Sequence, residues 1–185
     1  MLKIGIVAEG VKADSDVQII SELVKKILAT DPLFITRPGG NRPNVIKKYC
    51  GWLEEFRNEK VDKALVIVDQ DMSCVKTLVE KMQERIKARK YYFPVKFHVI
   101  KQEIETWLLS DEQAISKVVE RNVPRVNETL EDIQQPKEKL KELLSKAKAN
   151  YTAETLRRIA EESDIERIAY RCPGFRRFTQ SVVDC

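Results

Sequence analysis

The chain has 185 residues, of which 43% are hydrophobic and 34% are charged. This length and composition predict one hydrophobic core beneath a strongly ionic surface, and they exclude a disordered chain and several independent cores. The 33 basic and 29 acidic residues give a net charge of +4, which permits binding to a polyanion without requiring it. A single histidine and four cysteines without CxxC spacing argue against a zinc site built from those ligands.

The amino-terminal segment MLKIGIVAEG becomes acidic at Glu9, after a short apolar run. That run is too short for a signal peptide or a membrane span. The sequence therefore predicts a cytoplasmic protein with reduced cysteines and without membrane association.

Strand and helix patterns alternate through residues 1–100. Short apolar runs rich in branched residues predict strands at 2–8, 33–36, 63–68 and 95–100. Apolar residues at helical spacing predict helices between them, at 17–28, 44–56 and 75–86, with helix caps at Ser15 or Asp16 and at Ser73. Since a parallel neighbour requires a crossover connection, the pattern predicts an α/β fold, with a Rossmann-like parallel four-stranded sheet flanked by helices.

No further strand is predicted after about residue 105. Helical patterns continue at 111–121, 136–148, 153–163 and from 164 onward. We therefore expect an α/β core over residues 1–110 and a helical extension over residues 111–185 that packs on it. Within the extension, the run PKEKLKELLSKAKA is more typical of a solvated amphipathic helix than of a nucleic-acid arm.

Acidic residues follow the first and third predicted strands. Glu9 comes after the first strand, and Asp69 and Asp71 come after the third. In a sheet of order 2-1-3-4, the carboxyl ends of these two strands flank the point where strand order reverses, so the three carboxylates are expected to meet there. Oxygen donors without nitrogen or sulfur favour Mg²⁺ or Mn²⁺. The alternative is that the aspartates cap a helix or stabilise a turn; finding Glu9 and the DxD at one edge favours the metal site.

Further acids lie near this predicted edge. Glu103 and Glu105 follow the fourth strand, and Asp14 and Asp16 lie at the start of the first helix. Glu103, Glu105 and Asp16 are candidates for additional metal ligands. The alternative for the glutamates is that one of them begins a helix whose Trp107 packs into the core, and the alternative for the aspartates is a helix cap.

The pairing of Glu9 with the DxD of Asp69 and Asp71 resembles the motif of the Toprim domain, named for topoisomerases and primases. The segments EIETWLL and RCPGFRRF are similar to a family of small stand-alone prokaryotic Toprim proteins related to the nuclease domain of overcoming-lysogenisation-defect (OLD) proteins. The likeness covers nearly the whole chain, and the Toprim motif itself lies within about residues 1–105. It implies a Toprim fold and magnesium-dependent nuclease chemistry, with the aspartates holding the ion and Glu9 acting as a ligand or a general acid–base group.

The resemblance also implies partners. Some OLD-like relatives act beside a separate ATPase, including in defence against phages. In many relatives an acidic residue closely follows the glutamate-glycine pair, at the start of the first helix. In this chain the segment VKADSD comes after Glu9 and Gly10, and Asp16 is the best match to that acidic residue. OLD nucleases also have a catalytic lysine. Lys101 is the candidate for it in this chain, on the basis of its position in the sequence alone.

Two groups of basic residues are expected to contact nucleic-acid phosphates. The first surrounds the loop at Gly39 and Gly40, called the Gly-Gly loop below. The second is interleaved with Phe175 and Phe178, which could stack on unpaired bases. The alternative is that these phenylalanines anchor a terminal helix while the arginines face solvent. The two groups are Arg37, Arg42, Lys47 and Lys48, and Arg171, Arg176 and Arg177.

Two alternative functions would use the same acidic residues. One is a phosphohydrolase for a small phosphorylated molecule, and the other is a non-catalytic subunit or one that a partner activates. The sequence leaves open DNA against RNA as the substrate, the specificity of cleavage, and whether the chain forms a homo-oligomer. His98 lies inside the fourth strand, so we expect it to be packed rather than catalytic.

Overall fold

A computed structural model describes residues 1–10, 15–70 and 75–184 of the chain. The strands β1 (Lys3–Ala8), β2 (Leu33–Pro38), β3 (Lys63–Asp69) and β4 (Val95–Ile100) form a parallel sheet in the order β2-β1-β3-β4. The connecting helices are α1 (Ser15–Leu28), α2 (Arg42–Asn58) and α3 (Val75–Lys87). The predicted α/β fold with a parallel four-stranded sheet flanked by helices is confirmed.

Both faces of the sheet are covered. Ile4 and Ile6 of β1 lie in a core shared with α1, whereas Val7 lies in a second core shared with α2 and α3. This alternation follows from the two-residue period of a strand, and burial on both faces explains why β1 and β3 are continuous apolar runs. The α2 side is packed closely enough that a Cβ at Gly5 would lie 2.5 Å from the Phe56 ring.

The helical extension continues the α1-side core. Trp107 stacks on Phe178 with ring centroids 4.9 Å apart and meets Phe175 edge-on at 5.0 Å. These aromatic side chains belong to the same cluster of buried residues as Ile4 of β1. The elements after β4 are α4 (Glu105–Leu108), at the end of the core, and then, in the extension, α5 (Glu112–Val119), a 3₁₀ turn (Leu130–Asp132), α6 (Pro136–Lys146), α7 (Ala153–Glu162), α8 (Ile165–Arg171) and α9 (Pro173–Val183).

Several predicted boundaries were wrong for local reasons. The helix predicted to reach residue 121 ends at Val119, because Glu120 adopts a left-handed conformation with φ of 53°. The terminal helical stretch divides into α8 and α9 at Cys172, because Pro173 disfavours helical backbone in the residue before it. Among the described residues, no helix is both long and apolar enough to cross a bilayer.

Candidate active site

The loops that follow β1 and β2 are fastened together by glycines. Gly10 N–H donates to the carbonyl of Gly40 at 2.8 Å, and Gly40 N–H donates back to Gly10 at 2.6 Å. Gly10 has φ of 98° and Gly40 has φ of 78°, in the region that glycine adopts without strain. These bonds fix the path of the chain on leaving β1, and thereby the position of Glu9.

Glu9 and Asp69 lie side by side at the carboxyl edge of the sheet, although they are 60 residues apart in sequence. Glu9 Oε1 accepts a hydrogen bond of 2.8 Å from the backbone N–H of Asp69, the last residue of β3. Because β1 and β3 are neighbours, their ends meet at the point where strand order reverses. The structure thus brings together two of the three acids predicted to form the site.

A small cleft joins these acids to α1. Its space is about 10 Å³, which is about enough for one water molecule or one ion. Its polar lining comes from Glu9, Asp16 and Asp69, and its apolar lining comes from Ala8, Ile20, Ile67, Val68, Ile100 and Ile104. Larger clefts of the described residues, such as the one of about 390 Å³ between α3, β4 and α9, lie among other side chains.

The pKa of Asp69 is raised well above its ordinary value of 3.8, chiefly by burial and then by the negative charge of other carboxylates. Those carboxylates are Glu9, Asp16, Glu105 and Glu103, in decreasing order of effect. Burial and like charge both disfavour the ionised form. A proton or a cation is therefore needed to neutralise part of the charge around Asp69.

Glu105 is buried and carries its own hydrogen-bond donor. It begins α4, and the phenolic hydroxyl of Tyr151 donates to its Oε1. Burial raises the pKa of Glu105, whereas the Tyr151 hydrogen bond and the Lys137 charge oppose that rise. The alternative prediction for Glu105, that it begins a helix whose Trp107 packs into the core, also agrees with the structure, because Trp107 is buried. Tyr151 was not foreseen from the sequence, because nothing in the local pattern before α7 distinguishes it.

Glu103 is attached to the extension. Its Oε2 accepts a 3.1 Å hydrogen bond from the backbone N–H of Lys137, in the first turn of α6. A carboxylate at this position satisfies a helix N–H that has no partner within the helix. Glu103 thus connects the end of β4 to α6 while it contributes negative charge beside Asp69.

Asp71, together with Asp14, Ser73 and Cys74, lies outside the described residues. Within the described ranges, no three acidic, histidine or cysteine side chains are arranged to hold one metal ion. The donors that the structure does bring to this edge are carboxylate oxygens, which fits the chemistry of Mg²⁺ or Mn²⁺. The metal-ligand roles of Glu9, Asp16, Asp69, Asp71, Glu103 and Glu105 remain predictions.

Among the basic residues around the Gly-Gly loop, Arg42 lies next to the carboxylates. Its Nη1 donates a 2.6 Å hydrogen bond to the carbonyl of Gln70, the residue after Asp69. Arg37 instead pairs with Glu55 at 2.6 Å and is directed to α2. Two further lysines of this group, Lys47 and Lys48, are exposed on α2.

Lys101, the lysine matched by position, follows β4. Its ammonium group pairs with Asp132 at 2.9 Å, in the 3₁₀ turn. Its predicted contact with nucleic acid stays a prediction.

The carboxyl-terminal motif is largely structural. Phe175 and Phe178 are fully buried, which confirms the interpretation that they anchor a terminal helix and leaves them unable to stack on bases. Arg171 was also assigned wrongly to phosphate binding. Its guanidinium donates to the carbonyls of Ser110 and Val126 and pairs with Glu112 at 3.1 Å, so it holds the extension together.

The last two arginines of this motif, Arg176 and Arg177, are exposed on α9. Arg176 donates to the carbonyl of Ala169, and Arg177 lines the cleft between α3 and α9 beside His98. His98 packs against Trp107 and Phe178, as expected, and burial lowers its pKa to about 3. The phosphate contacts of both arginines stay predictions.

Comparison with known proteins gives a family but no characterised relative. No curated protein and no solved structure matches the chain significantly. A family model described as a domain of unknown function, DUF4276, matches residues 13–182. That match covers most of the α/β core and nearly all of the helical extension. The chain therefore belongs to the DUF4276 family.

Proposed function

We propose that the chain is a cytoplasmic, divalent-cation-dependent nuclease that hydrolyses phosphodiester bonds in DNA or RNA at Glu9, Asp69 and Asp71. The observation that carries the proposal is the direct hydrogen bond between Glu9 and the backbone of Asp69, at the edge of a parallel sheet where strand order reverses. Ligands bind at this position in open α/β sheets. The resemblance of the Glu9, Asp69 and Asp71 pattern to the Toprim motif supports the same chemistry.

The electrostatics of the site support a cation. The carboxylates of Glu9, Asp16, Glu103 and Glu105 all raise the pKa of Asp69, and burial raises it further. A site that gathers negative charge in a poorly hydrated place has a high affinity for positive charge. Mg²⁺ or Mn²⁺, when bound, supplies Lewis-acid chemistry that neutralises charge on a phosphate and acidifies water.

The protein contributes positioning. The backbone N–H of Asp69 orients one oxygen of Glu9, and the Tyr151 hydroxyl orients one oxygen of Glu105. Arg42 lies beside the end of β3, where its guanidinium can contact an anion bound at the carboxylates. Groups that are fixed before the substrate arrives lose little entropy when it binds.

The Toprim resemblance favours a polymer over a small phosphorylated molecule as the substrate. A nucleic-acid strand would lie across the opening of the cleft lined by Glu9, Asp16 and Asp69 and present one phosphate to the edge of the sheet. By the Toprim resemblance, the proposal extends to a separate ATPase partner and to a role in phage defence.

The test is Mn²⁺-dependent nicking of supercoiled plasmid DNA and cleavage of end-labelled RNA by the full chain. We expect Asp69→Asn and Asp71→Asn to lower the rate at least about 100-fold, as the removal of a required catalytic group does. Asp31→Asn is the matched control, because Asp31 is an exposed aspartate in the turn before β2 and loses the same charge. Unchanged activity of both site variants would refute the assignment.

Activity in the absence of a partner is tested in the same assay. Each protein is incubated alone and with the product of the neighbouring gene, so that a partner-activated subunit is distinguished from an autonomous enzyme. Absence of cleavage under both conditions, with intact Mn²⁺ binding, would favour the non-catalytic binding subunit.

A further inference from the structure

Tyr151 contacts positive as well as negative charge. Its hydroxyl donates to Glu105, while the ammonium groups of Lys137 and Lys141 lie 5.7 and 5.5 Å from the centre of its ring. Both distances are within the range of a cation–π interaction. One aromatic side chain of the extension thus joins the carboxylates to two lysines of α6.

The two lysines are next to the candidate active site. The backbone N–H of Lys137 is bound by Glu103, and the Lys137 charge lowers the pKa of Glu105 against the larger effect of burial. Glu103 and Glu105 in turn raise the pKa of Asp69. The ammonium groups are therefore close neighbours of the carboxylate cluster, on the side formed by the helical extension.

The lysines of α6 fall on two sides of the helix. Lys137 and Lys141 are one turn apart and share a face, whereas Lys139 and Lys146 lie on the opposite face. Lys139 pairs with Glu128 at 3.0 Å, Lys146 pairs with Glu142, and Lys141 pairs with Glu138 at 2.7 Å. The ammonium group of Lys137 makes no ion pair with any residue that the structure describes.

Among the described residues, Glu138 pairs with Lys141 and no carboxylate pairs with Lys137, so the two ammonium groups on the shared aromatic ring keep a net positive charge that an anion placed between them would neutralise. A nucleic-acid backbone carries such an anion at every nucleotide. We propose that Lys137 and Lys141 bind a backbone phosphate of the substrate next to the one held at the carboxylates, with Tyr151 holding both ammonium groups in place. This inference rests on the proposed function, because it takes the carboxylate cluster as the point of cleavage.

The strand would then run from the edge of the sheet, past Tyr151, onto α6. This path gives the charged run of α6 a role in nucleic-acid binding, the alternative that the sequence pattern disfavoured. It also gives the extension a part in substrate binding, in addition to its part in the core.

The experiment measures binding without cleavage. Fluorescence anisotropy of a labelled single-stranded 20-nucleotide DNA, and of RNA with the same sequence, is recorded in EDTA at several salt concentrations. We expect the double variant Lys137→Gln/Lys141→Gln to bind about tenfold more weakly at 0.1 M salt. The slope of log K against log salt should become shallower by about 0.7, since the two lysines contact one phosphate and each lost phosphate contact on a single strand removes about 0.7.

The matched control is Lys139→Gln/Lys146→Gln, which removes the same charge from the opposite face of α6. It should bind within about twofold of the wild type. If both double variants weakened binding equally, the loss of net positive charge alone would explain the effect, and the proposal would be overturned. Absence of measurable binding by the wild type would also overturn it.

This assay separates the inference from the proposed function. Cleavage plays no part in it, so Asp69→Asn should still bind the oligonucleotides even though it is expected not to cut them. Weakening confined to the DNA or to the RNA would support the phosphate contact and identify that polymer as the ligand.

Discussion

Tyr151 donates a hydrogen bond to Glu105 across the junction between the helical extension and the α/β core, and the two residues are 46 positions apart in sequence. The bond satisfies a buried carboxylate whose pKa is raised chiefly by burial. Other polar contacts cross the same junction, among them Glu103 with Lys137, Lys101 with Asp132 and Lys63 with Val182. Loss of the bond between Tyr151 and Glu105 should affect both stability and the site.

We predict that Tyr151→Phe lowers the free energy of unfolding by about 1–3 kcal/mol, the usual cost of leaving a buried polar group without its partner. The hydrogen bond favours the ionised form of Glu105, so the loss should be larger at pH 8 than at pH 5. Urea denaturation at the two pH values measures it. Tyr170→Phe is the control, because Tyr170 is 80% exposed and its replacement should change stability little.

Asp69→Asn should stabilise the chain in the absence of divalent cations. Because the pKa of Asp69 is raised in the folded state, the folded chain holds more protons than the unfolded chain above about pH 4, and stability falls as pH rises. Asparagine removes that penalty without changing the shape of the side chain. The melting temperature in EDTA should rise by about 2–4 °C for each kcal/mol relieved.

The same thermal scans provide the contrast for this prediction. The gain should shrink toward pH 3, as Asp69 becomes protonated in both the folded and the unfolded state, and should grow toward pH 8. Asp31→Asn is the control for the loss of one negative charge, because Asp31 is exposed. A melting temperature that falls at pH 8 on replacing Asp69 would mean that its carboxylate is favourably paired.

The meeting of Glu9 and Asp69 could be predicted from the sequence because it depends on topology. Strands buried on both faces are continuous runs of branched residues, and β1 and β3 have that pattern. Once the order β2-β1-β3-β4 is assumed, the residues that end β1 and β3 must lie together. Neither step requires knowledge of side-chain packing.

Tyr151 and Arg171 could not be assigned in this way. Their partners come from distant elements, Glu105 for the tyrosine and Ser110 and Val126 for the arginine. These contacts are set by how α6 to α9 pack on α1 and β4, and local spacing does not encode that packing. In the sequence, Arg171 looks the same as the exposed arginines of α9, and only its contacts with Ser110 and Val126 distinguish it.

Phe178→Leu should act on stability and leave nucleic-acid binding unchanged. Phe178 is fully buried and stacks on Trp107, so a smaller side chain should cost about 1–3 kcal/mol through lost contacts and a residual cavity. Chemical denaturation gives the cost, and anisotropy with the labelled oligonucleotides gives the affinity of the folded protein. Tyr92→Leu, at a largely exposed aromatic position, is the control. Weaker binding at unchanged stability would restore a base-stacking role to Phe178.

Divalent-cation affinity should increase with pH. Asp69 retains a proton to higher pH than an ordinary aspartate, and a cation that binds the carboxylates must displace that proton. If one proton is released, the Kd for Mn²⁺ should fall by about tenfold per pH unit below the pKa of Asp69, and it should level off above that pKa.

Isothermal titration calorimetry of the full chain in two buffers of different ionisation enthalpy measures both the affinity and the proton release. The Asp69→Asn variant should lose most of its affinity for Mn²⁺, and it should no longer release the Asp69 proton when Mn²⁺ binds. Mn²⁺ binding that is equally tight at every pH in the wild type would show that the cation binds away from Asp69.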